Sequence, residues 1–118
     1  MRILIVEDEM FSAVFLKKTI QKLGYLPVGT VSSGDEALEQ TEQSDVDLVL
    51  MDINLVGDMD GIDAAKALKQ NYELPVIFIT AYDDNTTRNR AMKIQPEDFL
   101  TKPFETKELK NAIENIAS

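Results

Sequence analysis

Apolar residues in this chain fall into five short runs, separated by longer stretches in which apolar positions recur every three or four residues. The runs are Ile3 to Val6, Leu26 to Val31 (interrupted by Pro27 and Gly29), Leu48 to Met51, Val76 to Ile79, and Phe99 to Thr101. Three of them are nearly continuous and rich in Val and Ile. Strands buried on both faces read this way, which predicts a parallel sheet.

The intervening stretches read as amphipathic helices. Ala13, Leu16, Ile20 and Leu23 share one face, with Lys17, Lys18 and Lys22 pointing elsewhere, and Gly24 stands where a helix C-cap belongs. Ser32 or Ser33 can cap a second helix from about Asp35 to Gln43. A third is predicted from Ile62 to Tyr72, with Ile62, Ala65 and Leu68 inward, and a shorter, more polar fourth from Thr86 to Lys93. The last carries Leu109, Ala112, Ile113 and Ile116 at i, i+3, i+4 and i+7. Strand and helix thus alternate five times. Such connections impose parallel neighbours through right-handed crossovers. The expected fold is α/β: a doubly wound five-stranded parallel sheet in a three-layer (βα)5 sandwich, a single domain over residues 1–118. Neither a linker nor a low-complexity segment nor a repeat interrupts the pattern. The chain opens one residue before its first strand and closes with its last helix, which fits a whole protein and a piece of a longer one alike.

Composition narrows the function. The 118 residues suffice for one domain, and 44% hydrophobic with 28% charged residues is ordinary globular usage. Lys and Arg number 12 against 21 Asp and Glu, a net charge of −9, so the surface repels nucleic-acid backbones. With no Cys and no His, thiol nucleophiles, thiolate metal sites, Ser-His catalysis and phosphohistidine on this chain are all excluded. No run approaches the roughly 20 apolar residues of a membrane span, and the first run is too short for a signal peptide. The expected location is the cytoplasm.

In open parallel sheets, ligands bind beyond the carboxyl ends of the strands. Strand one ends in Glu7-Asp8-Glu9, strand three in Asp52, strand four in Thr80-Ala81, and strand five in Thr101-Lys102-Pro103. Carboxylates gathered at one edge repel unless a cation joins them. A hard divalent cation, Mg²⁺ or Mn²⁺, satisfies that need. Asp52 can then act as a nucleophile toward phosphorus, Thr80 can hydrogen-bond a phosphoryl oxygen, and Lys102 can neutralise its charge. Each residue also has a plainer reading. A lone acid after a strand is commonly a helix cap, strongly so for Glu9 and fairly so for Glu7. A lone Lys is commonly solvated and a lone Thr merely suits a strand. Asp83-Asp84 can cap the fourth helix, and Arg88, Arg90, Lys107 and Lys110 read as a solvated face or a partner surface. The functional reading prevails because the set converges on one sheet edge.

The segments Ile5-Val6-Glu7-Asp8-Glu9, Asp47-Leu48-Val49-Leu50-Met51-Asp52, Asp60-Gly61, Ile79-Thr80-Ala81 and Thr101-Lys102-Pro103-Phe104 closely resemble, in order and spacing, the receiver domain of two-component response regulators. The resemblance covers essentially the whole chain and implies the flavodoxin-like strand order 2-1-3-4-5. It further implies that Asp52 is the phosphoacceptor, that Asp8 and Glu7 hold the metal with Asp52, and that Asn54 adds its backbone carbonyl. Asn54 and Tyr82 match positions that tune phosphoryl lifetime. Thr80 and Phe99 match the switch pair, for which plain core packing of Phe99 is an equal alternative. Lys102-Pro103 matches a cis peptide. The implied partners are a sensor histidine kinase or histidine phosphotransfer protein upstream and a protein partner or output domain downstream, with no nucleic acid and no membrane. The implied class is a signalling domain rather than an enzyme, with self-phosphorylation and autodephosphorylation chemistry of its own. Its output would be a change in the face made by the fourth helix, fifth strand and fifth helix.

Two features depart from the family's commoner pattern. Glu7 stands where Asp is usual, and the loop Ile53 to Gly61 has no proline near Val56 and one extra residue, which Gly57 can absorb. Rival readings fit less well. Toprim-type nucleases and haloacid-dehalogenase-type phosphatases need a D-x-D motif, but Asp52-Ile53-Asn54 lacks the second acid. Glu7-Asp8-Glu9 would repel the phosphate of a flavin. A phosphorylation-independent scaffold of the same fold is the remaining alternative.

Overall fold

The computed structural model describes residues 1–81 and 83–117. Ten elements alternate: β1 (Arg2–Val6), α1 (Met10–Lys22), β2 (Leu26–Val31), α2 (Gly34–Gln43), β3 (Leu48–Met51), α3 (Gly61–Tyr72), β4 (Val76–Thr80), α4 (Asn85–Lys93), β5 (Asp98–Thr101) and α5 (Thr106–Ala117). The strands form one parallel sheet in the order β2-β1-β3-β4-β5, so the flavodoxin-like topology expected from the sequence is observed.

The period-two alternation of strand side chains divides the core into two layers. Ile3, Ile5, Leu48, Leu50, Ile77, Ile79 and Leu100 pack with Leu16 and Ile20 of α1 and Leu109, Ala112 and Ile113 of α5. Leu4, Val6, Val49, Met51, Phe78 and Phe99 point the other way, against Ala37 of α2, Ile62, Ala65 and Leu68 of α3, and Ala91 of α4. Every residue of β3 and β4 is buried, which is why those runs are unbroken in the sequence. Strand β2 lies at the edge and is only half covered; its pairing with β1 shifts register between Ile3 and Leu4.

Caps set the helix ends. Glu9 accepts from the backbone N–H groups of Phe11 and Ser12, Ser33 from Glu36, Asp60 from Asp63, and Asp84 from Thr87. Ser33 is thus the cap of α2, and Gly24, with φ +91°, follows α1 in the left-handed conformation. Among the described residues no helix is long and apolar enough to cross a membrane.

Candidate functional site

The parallel pairing of β1 with β3 brings the site together. The backbone N–H of Asp52 donates to Val6 O at 2.9 Å, and that of Glu7 to Val31 O at 2.9 Å, so the residues following both strands are held in the ladder. One carboxylate oxygen from each of Glu7, Asp8 and Asp52 lies within 4.8 Å of the others. Glu7 and Asp52 are buried, 3% and 8% exposed, while Asp8 forms an exposed rim. The backbone N–H of Asn54 approaches Asp52 Oδ1 at 3.4 Å, curling the following loop around the pit.

Strands β4 and β5 supply the opposite wall. Thr80 is fully buried at the end of β4, and its carbonyl accepts from the Lys102 N–H at 2.8 Å. The Lys102–Pro103 peptide is cis. Lys102 Nζ contacts Glu7 Oε1 and lies 3.6 Å from Asp52 Oδ2. Burial pushes the Glu7 carboxyl up to about 7, and its hydrogen bond to Asp52 and the Asp52 charge add to the rise. Lys102 and the Glu9 N–H, 3.3 Å from Glu7 Oε2, pull the other way.

Three carboxylates against one ammonium leave the pit net negative. Its donors are all oxygens, and the chain has no His or Cys to offer a borderline or soft ligand. Neighbouring oxygens around octahedral Mg²⁺ stand about 3 Å apart and opposite ones about 4.2 Å, so the three carboxylates, already within 4.8 Å of one another, would draw closer around a bound ion. The residues present therefore fit a hard divalent cation, held by Glu7, Asp8 and Asp52.

The remaining sequence expectations divide clearly. Glu9 serves α1 as its cap, as its plainer reading held, and Asp84 serves α4 likewise. Glu7 is in the pit. Phe99 lies on the same sheet face as Thr80, paired with Phe78 across β4 and β5 at 6.1 Å between ring centroids, and is 7% exposed. Tyr82 lies outside the described residues. Of the ambiguous cations, Arg90 pairs with Asp60 at 3.1 Å and Asp63 at 3.9 Å, and Lys110 with Glu114 at 3.8 Å.

Two features escaped sequence reasoning. Gly61 packs directly on the backbone of Asp52; a Cβ there would sit 1.9 Å from Asp52 O. Nothing in a local pattern reports such a close approach beyond the presence of glycine itself. The outer face of α1 exposes Met10, Phe11, Val14 and Phe15, with Phe15 against Phe104 at 6.0 Å. The i, i+1, i+4, i+5 spacing of these four, opposite the buried stripe, was the available signal.

Comparison with known proteins agrees with this geometry. The family described as "Response regulator receiver domain" matches residues 3–114. The transcriptional activator protein IrlR of Burkholderia pseudomallei is 34% identical over 116 residues, covering 98% of this chain and 50% of that protein. The chain thus spans about half the length of the curated relatives it matches. The signal receiver domain of a modulated diguanylate cyclase from Desulfovibrio desulfuricans G20 superposes with a TM-score of 0.92 at 36% identity, covering 98% of this chain and 91% of that one. The receiver domain of the sensor histidine kinase PA1611 from Pseudomonas aeruginosa PAO1, with a magnesium ion coordinated in its active-site cleft, gives 0.88 at 28% identity, covering 99% and 98%. With a family match spanning nearly every element and an acidic pit where the strands end, the chain belongs to the response regulator receiver domains of two-component signalling.

Proposed function

We propose that Asp52 accepts a phosphoryl group from a phosphohistidine on a partner protein, a sensor histidine kinase or a histidine phosphotransfer protein. The observation that carries this reading is the convergence of Glu7, Asp8 and Asp52 within 4.8 Å, with the Lys102 ammonium reaching both Glu7 and Asp52. An Asp52 carboxylate oxygen attacks phosphorus; the new P–O bond forms as the P–N bond to the partner's imidazole breaks. A divalent cation held by Glu7, Asp8 and Asp52, with the Asn54 carbonyl, supplies charge neutralisation at the phosphoryl oxygens. Lys102 neutralises a further oxygen from the β5 side, and Thr80 offers its hydroxyl from β4. Asn54 and Tyr82 would tune how long the product survives. Water attack on phosphorus breaks the P–O bond to Asp52, releasing inorganic phosphate and returning Asp52 to its carboxylate, so the domain signals transiently without being an enzyme on an outside substrate.

The apolar face of α1 supports a protein donor. Phe11 is 81% exposed and Met10 74%, just after Asp8 on the rim that a donor must cover to reach Asp52. Downstream, Thr80 and Phe99 share a sheet face, so a phosphoryl group that draws Thr80 alters the space beside Phe99 and the α4-β5-α5 surface. That surface is read by a protein partner or by an output domain. The cytoplasm, where such kinases present their phosphohistidine, is the location this function requires.

The test is intact mass after incubation with Mg²⁺ and acetyl phosphate, for wild type and Asp52→Asn. One added phosphoryl group, absent in the variant and absent with EDTA, is the expected result. No added mass, together with no binding of fluoroberyllate and Mg²⁺, would overturn the reading in favour of a phosphorylation-independent scaffold.

A further inference from the structure

The ring of Phe99 has two neighbours of opposite character. Phe78, itself without exposure, meets it from the core at 6.1 Å, with the ring planes 56° apart. Arg88 of α4, an exposed residue, sets its guanidinium carbon 4.7 Å from the ring centroid. Among the described residues α4 is lightly fastened: within the helix Ala91 is the buried residue, Arg90 ties it to Asp60 and Asp63 at the start of α3, and just past its end Ile94 packs on the core and Lys69 donates to Gln95 O. A contact between α4 and β5 made by a cation on a ring face therefore weighs more here than it would under a well-packed helix.

We infer that Arg88 is a positioning residue for Phe99: its cation over the ring holds the aromatic in its buried place and links the position of α4 to it. The inference builds on Phe99 as the mobile aromatic of the proposed function. A guanidinium within about 6 Å of a ring centroid is attracted by the negative face of the π system. At an exposed position, that attraction corresponds to a roughly two- to fivefold bias in a two-state equilibrium. Arg88 thereby sets the fraction of chains with the ring inward before any phosphoryl group arrives. It also sets how much of the switch is left for phosphorylation to complete.

Charge and shape separate in the test. Arg88→Met keeps an unbranched stem and loses the cation; Arg88→Lys keeps the cation. The five phenylalanines allow Phe-selective ¹³C labelling, with Phe99 assigned by Phe99→Leu. Ring resonances are recorded for the untreated chain and during titration with Mg²⁺ and fluoroberyllate. In the untreated chain, Arg88→Met is expected to move the Phe99 signals toward a solvent-exposed environment, with the inward-to-outward ratio of the ring falling roughly two- to fivefold, and Arg88→Lys to recover part of the change. Phe99 signals in Arg88→Met identical to wild type, or Arg88→Lys behaving as Arg88→Met, would overturn the inference. A wild-type chain that ignores fluoroberyllate would sink the phosphoacceptor reading instead, while the Met and Lys comparison in the untreated chain still decides the role of Arg88.

Discussion

Gly61→Ala is the smallest substitution that should reach Asp52, the proposed phosphoacceptor, without touching any charged group. Gly61 opens α3, where alanine is the better helix former by up to about 1 kcal/mol, so propensity alone predicts stabilisation. Packing predicts the reverse. The new Cβ would lie 1.9 Å from Asp52 O, 2.8 Å from Asp52 C and 2.7 Å from Ile53 Cα. These are backbone atoms, which cannot rotate aside, so α3 and the loop after β3 must separate by about 1 Å to reach even a tight contact. Separation also stretches the 2.8 Å bond from Gly61 N–H to Ile53 O. Overpacking of about 1–3 kcal/mol and a lost hydrogen bond of about 1 kcal/mol outweigh the helix gain of about 1 kcal/mol, leaving a net destabilisation of about 1–3 kcal/mol. Urea denaturation reads this directly, with the midpoint falling at unchanged slope. Fluoroberyllate affinity should fall with it, because Asp52 is carried on the displaced backbone. Gly57→Ala is the control. Its φ of +100° strains an alanine, but nothing lies within 4 Å of the added carbon, so stability drops by only about 1 kcal/mol and the site is spared. Gly61→Ala with a wild-type midpoint and wild-type affinity would refute the reasoning.

Three further outcomes are expected. Because the folded Glu7 carboxyl titrates near 7, above its ordinary 4.5, the stability it contributes is fully present below about 4.5 and is lost as the pH rises through about 7. In EDTA, the unfolding free energy read from urea titrations should therefore fall by up to about 3 kcal/mol between about pH 4.5 and 7, and Glu7→Gln should flatten that slope. Lys102→Met removes the cation from the pit, so Mg²⁺ binding, followed calorimetrically, should tighten while phosphoryl uptake from acetyl phosphate slows roughly 100-fold. Phe11→Ser, at a residue 81% exposed, should leave stability within about 0.5 kcal/mol and uptake from acetyl phosphate unchanged, yet slow transfer from a phosphohistidine-bearing protein in a stopped-time gel assay.

The strands and most helices were legible because burial leaves a compositional trace: β3 and β4 are unbroken apolar runs, and α1, α3 and α5 each show one apolar stripe, which the polar α4 lacks. Helix starts were legible where a short polar side chain does the capping, at Ser33 and Asp84. The pit was legible because topology alone sends the ends of β1 and β3 to the same place. What stayed hidden depends on distance rather than pattern. Asp60-Gly61 stood out as a motif, but only coordinates reveal that the glycine lies against Asp52 O. Arg88 looked like any surface cation until its place over Phe99 was seen. Glu7 looked like a slightly long Asp, and its pairing with Lys102, which lies 95 residues away along the chain, shows only in three dimensions.

The thin attachment of α4 has an evolutionary consequence. A helix whose buried contacts are Ala91 and, at its end, the partly buried Ile94 exerts little constraint on the residues of its outer face. Substitutions there cost the fold about 0.5 kcal/mol or less, provided Arg88 and Arg90 keep their contacts. Mutation can therefore sample new outer faces on α4 while the two core layers and the acidic pit stay as they are. The phosphorylation proposed for Asp52 could in this way be rewired to new readers through a handful of surface changes, at little cost to folding.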